Sequence, residues 1–101
     1  MKNSENTVDL IKGIFSQMEG KDIVLDLLDY KINYHRRKNF GWEERFGKPN
    51  QDSLKRIEEL KAAKGKIQEI ISKNESAFDK IEVHSQVAIT FIKEKELAET
   101  N

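Results

Sequence analysis

Two amphipathic repeats with a single break between them constrain this chain more than any other feature. In the first, Ile23, Val24, Leu27, Leu28, Lys31, Tyr34 and His35 return at steps of three and four, while Asp22, Asp26 and Asp29 fall outside the stripe. That is the signature of a helix with one buried face. In the second, Leu54, Ile57, Leu60, Lys64, Ile67 and Ile71 keep the same spacing, with Ala63 and Ile70 widening the stripe. Between them Gly41, Gly47, Pro49 and Asn50 bring turn chemistry, so the chain reverses and the helices pack antiparallel.

The ends of the helices follow from capping. Ser16 and Glu19 form a capping box, which starts the first helix at about residue 17. Arg36, Arg37 and Lys38 suit the negative end of a helix dipole, so the reading ends that helix at about residue 38 and leaves 39–50 as a loop. The second helix is expected over about 51–73, closed by Asn74 in the left-handed conformation. Gly65 either costs that helix about 1 kcal/mol or marks a close approach by the first helix.

Outside the hairpin the period changes to two. Ile81, Val83, Ser85, Val87, Ile89 and Phe91 alternate with Glu82, His84, Gln86, Ala88 and Thr90, which predicts a strand over about 81–92. Val8, Leu10 and Ile14, with Ile11 and Phe15 on the other side, predict another over about 7–15. The fold class is therefore α+β, an antiparallel helical hairpin with a small two-stranded sheet from the N- and C-terminal segments, in the order β-α-α-β. The alternative is an all-α bundle of three or four helices, because Val83, Val87 and Phe91 are also spaced by four. A chain of 101 residues fits one domain, and the polar tails 1–5 and 95–101 are expected to be disordered.

Composition narrows the function. Eighteen Lys and Arg balance 18 Asp and Glu, so no global field draws the protein to nucleic acid or to an anionic membrane. The absence of Cys removes disulfides, thiolate metal sites and thiol nucleophiles, and suits a reducing cytoplasmic interior. No stretch approaches the ~20 apolar residues of a membrane span. His35 and His84 lie on different elements, and no glycine-rich phosphate loop or nucleophile motif occurs, so the expectation is a protein without catalytic residues, metal or cofactor.

Two surfaces stand out. The segment 34–48 interleaves Tyr34, Phe40, Trp42 and Phe46 with Arg36, Arg37, Lys38, Arg45 and Lys48 against Glu43 and Glu44, a local balance of +3. Aromatic and Arg side chains anchor protein interfaces, which makes Tyr34, His35, Arg36, Arg37, Phe40, Trp42, Arg45 and Phe46 candidates for binding a protein partner. The same chemistry stacks bases and neutralises phosphates, so a nucleic-acid interface through Tyr34, Arg36, Arg37, Lys38, Trp42 and Arg45 is the rival. A third reading has the aromatic residues simply plug the open end of the hairpin. The second surface is the final strand. Val83, Val87, Ile89 and Phe91 on a β-branched edge predict self-association as a homodimer.

The run Lys12-Gly13-Ile14-Phe15, then Tyr34-His35, Glu44-Arg45-Phe46-Gly47 and Ser53-Leu54-Lys55-Arg56-Ile57-Glu58-Glu59-Leu60-Lys61 resembles a group of short bacterial proteins of about this length without an assigned function. The resemblance spans most of the chain. It implies a free-standing protein and no activity, ligand or catalytic residue. The expectation is thus a small non-enzymatic binding or regulatory module.

Overall fold

The computed structural model describes residues 5–93. Its order is β1 (Glu5–Ser16), α1 (Gln17–Phe46), α2 (Gln51–Asn74) and β2 (Lys80–Thr90). The helices are antiparallel and β1 and β2 form a two-stranded antiparallel sheet, so the all-α alternative is set aside. Contacts group the chain into two compact units, Phe15–Ile81 and the pairing of the segment before Phe15 with the one from Glu82 onward.

In the helical unit Ser16 is the N-cap of α1: its Oγ accepts from the Glu19 backbone N–H at 3.1 Å, as the capping box requires. The helix then runs 30 residues, about 45 Å at 1.5 Å per residue. This corrects the expected end at residue 38 and the expected loop 39–50. The physical reason is that Ile32, His35, Asn39, Trp42 and Phe46 continue the three-four spacing, and Gly41 is too small a penalty to break it. Arg45, not the run 36–38, occupies the last turn. Gly47 ends the helix in the left-handed region at φ 69°, donating to Glu43 O at 2.9 Å.

Only residues 47–50 make the turn. Asn39 reaches across it from α1, its Oδ1 accepting the Asn50 backbone N–H at 2.7 Å. Asn50 in turn caps α2, its Oδ1 accepting from Ser53 N at 2.9 Å while its carbonyl accepts from Leu54 N. At the far end α2 closes on Glu75 in right-handed geometry, and Asn74 instead donates from its amide to Ile70 O at 2.8 Å, so the expected left-handed Asn cap is absent.

The core between the helices is small. Ile32, Ile57 and Leu60 are the buried apolar residues at 5%, 6% and 5% exposure, with Leu28 packed against them. Lys64 crosses the interface to Asp29 at 2.7 Å. Ser53 is buried too, and its Oγ meets no hydrogen-bond partner among the described residues.

The strands run Glu5–Ser16 and Lys80–Thr90, against the expected 7–15 and 81–92. β2 ends at Thr90, which leaves Phe91 and Ile92 of the expected 81–92 outside the strand. The tails expected to be disordered lie outside the described residues, apart from Glu5.

Two helical glycines have opposite meanings. A Cβ on Gly65 would meet nothing within 4 Å, so no close approach occurs there. A Cβ on Gly20, which is buried, would lie 2.7 Å from Ile81 Cγ1 and press on its Cδ1 as well. Gly65→Ala is therefore expected to stabilise by about 1 kcal/mol through lost backbone freedom in the unfolded chain. Gly20→Ala is expected to lower stability despite the same propensity gain, and urea midpoints for the two variants check the opposite signs.

Candidate functional site

The predicted partner site is helical throughout, which changes which of its residues act together. Successive residues turn by about 100°, so a single helix cannot aim all eight candidates one way. Trp42 and Phe46, one turn apart, stack at 4.4 Å between ring centroids, and with His35 and Asn39 they continue the face that carries Ile32. Arg36 and Phe40 point another way, Arg36 donating to Asn33 Oδ1 at 3.3 Å. Tyr34, Arg37 and Arg45 share a third face with Lys38 and Tyr30. Tyr34, Phe40 and Phe46 are exposed, as are Arg36, Arg37 and Arg45.

His35 is half-buried, its ring meeting Tyr34 edge-on at 5.0 Å, and its Nδ1 is closed off from solvent with no hydrogen-bond partner among the described residues. Burial, then the positive charges of Lys31 and Lys38 on α1 and Arg56 on α2, hold its pKa below the ordinary 6.5. Because the native state takes up the proton later than the unfolded chain, the neutral ring contributes stability that is fully present above pH 6.5 and is lost as pH falls through the depressed native value. Urea midpoints are expected to drop across this window, and a His35→Leu variant is expected to remove that part of the drop.

Between α1 and α2 lies an open groove of about 510 Å³, its walls carrying Asp29, Asn33, Arg36, Lys61, Lys64 and Gln68. The Asp29–Lys64 pair spans it, and Ile32 forms its only apolar wall. A smaller hollow of about 330 Å³ sits at the tip among Trp42, Lys48, Pro49 and Asn50. Neither lining holds a Ser, Cys or His. Among the described residues no group of three His, Cys, Asp or Glu comes together, and no helix is long and apolar enough to cross a membrane.

The sheet unit has two unlike faces. Asp9 Oδ1 lies 3.0 Å from His84 Nε2 and 3.3 Å from Gln86 Nε2, and Lys12 is 3.7 Å from its other oxygen. The hydrogen bond to His84, followed by that to Gln86, holds the Asp9 carboxyl below its ordinary pKa. The contacts of Asp9 with His84 and Gln86 place it on one side with even residues of β2, and Lys12 reaches the same carboxylate from three residues on, out of step with strict alternation. Alternation about Asp9 then puts its neighbours Val8 and Leu10 on the other side with Val83, Val87 and Ile89. Val8, Leu10 and Ile14 are 61%, 52% and 71% exposed, and Val87 and Ile89 are 38% and 47% exposed. The apolar face is therefore largely open to solvent. Of the four residues expected to mediate self-association, Val83, Val87 and Ile89 lie on it within β2, and Phe91 follows the strand at 70% exposure. Sequence reasoning singled out β2 alone; Val8, Leu10 and Ile14 were missed as surface residues, although their period of two carried the signal.

The chain matches no family model, no curated protein and no solved structure.

Proposed function

We propose that the protein is a non-enzymatic binding or regulatory module that acts by self-association through its sheet and receives a protein partner on the hairpin. The observation that carries this reading is the exposure of the apolar residues Val8, Leu10, Val87 and Ile89 on the sheet. Contiguous apolar surface of this kind marks interaction sites. A two-stranded sheet is also marginal in water unless its face is covered or its edge is extended. The stacked pair Trp42 and Phe46, both exposed on one face of α1, supplies the anchors for a partner.

A second reading keeps one specific observation: Tyr30, Tyr34, Arg37, Lys38 and Arg45 share a helix face, the arrangement of bases stacked beside neutralised phosphates. It requires binding to single-stranded nucleic acid that weakens as salt rises.

Light scattering on the full chain tests the first reading. Wild type is expected to have the mass of a dimer, and Val87→Lys, which sets a charge in the apolar face, is expected to be a folded monomer by circular dichroism. A monomeric wild type at the highest working concentration would remove the proposal of self-association.

A further inference from the structure

The self-association just proposed has a definite geometry written into β2. On its apolar side the strand reads Ile81, Val83, Ser85, Val87, Ile89, which is the same in both directions about Ser85. We propose that two copies of this chain join by pairing β2 edge to edge, antiparallel, across a two-fold axis at Ser85, to give a continuous four-stranded sheet. This rests on the self-association reading and adds its register.

In an isologous contact each residue must suit the residue that the two-fold brings opposite it. Here Ile81 meets Ile89 of the second copy, Val83 meets Val87, and Ser85 meets Ser85. Like side chains of equal width stand across from one another, and the central hydroxyls hydrogen-bond. Directly opposed pairs of this type are the unit of sheet stabilisation. On the polar side Lys80 falls opposite Thr90, Glu82 opposite Ala88, and His84 opposite Gln86, so no two like charges oppose each other. The edge itself is suited to such pairing. Among the described residues β2 pairs with β1 on one side only, which leaves a row of backbone N–H and C=O groups on the other. From Val83 to Ile92 the chain has no Asp, Glu, Lys or Arg, the residues that ordinarily blunt an edge.

β1 is the natural comparison and lacks these properties. Its alternate residues read Asn6, Val8, Leu10, Lys12, Ile14, and a two-fold at Leu10 would set Lys12 against Val8 and Asn6 against Ile14. A charge placed among apolar pairs guards that edge. The chain therefore has one strand built to pair with itself and one built not to, and the assembly closes at two copies.

The absence of native Cys allows a clean crosslinking test on the full chain. Ser85→Cys places a thiol on the axis, where opposed Cα atoms are about 4.5–5.5 Å apart, within disulfide reach. Under mild oxidation it is expected to become predominantly covalent dimer. Ala88→Cys places its two thiols six residues apart along the strands, roughly 20 Å, and is expected to stay uncrosslinked. An equal mixture of Val83→Cys and Val87→Cys is expected to crosslink, whereas either variant alone is not. A dimeric wild type whose Ser85→Cys form does not crosslink overturns the register and leaves self-association standing. Crosslinking of Ala88→Cys as readily as Ser85→Cys would show a parallel pairing and equally overturn it. A monomeric wild type by light scattering overturns both.

Discussion

Three side chains, Ile32, Ile57 and Leu60, form the buried apolar core of the described chain, and that scarcity governs the rest of the structure. Each fully buried aliphatic side chain contributes about 1.5–3 kcal/mol, a sum of the same order as the net stability of a small domain and far below the conformational entropy that folding must overcome. The remaining stabilisation comes from partly buried residues along the helical seam, such as Val24, Leu28 and Ile67, and from local devices at every helix end. The sheet leaves apolar side chains such as Val8, Leu10 and Ile89 exposed. The self-association proposed above would draw on that surface.

The polar contacts are concentrated where the small core cannot help. At the tip the amide of Asn39 holds the Asn50 backbone, and Asn50 starts α2, so one short relay both reverses the chain and caps the returning helix. The Asp29–Lys64 pair joins the helices farther along. At about half exposure for the carboxylate it adds alignment more than energy, because solvent screens such pairs to roughly 0–1 kcal/mol.

Much of this was legible in the sequence because it is periodic. The period-two runs named both strands, and the three-four runs named both helices, since in each case burial on one side imposes the pattern. The capping box at Ser16 gave the start of α1 to the residue. The end of α1 was misread because composition was allowed to outweigh period: Gly41 and the aromatic-basic run have the look of a loop, yet Asn39, Trp42 and Phe46 carry on the spacing of Ile32 and His35. The contact of Gly20 with Ile81 had no local signal at all, since residues 61 apart in sequence meet only after folding. The candidate partner residues were read as a loop, and on a helix that turns about 100° per residue they spread over several faces.

α1 is six residues longer than α2, 30 against 24, and at the tip the two are joined by only residues 47–50. The excess therefore falls at the base, where the segment 75–79 runs back along the first turn of α1 and Gln17 donates its side-chain amide to Phe78 O. The hairpin thus acts as a gauge: the offset between its helices decides which residue of β2 arrives beside Phe15 and Gly20. A one-residue insertion in either helix would change that offset and take Ile81 away from Gly20. Seven residues, about two turns, added to both helices at the tip would keep that offset.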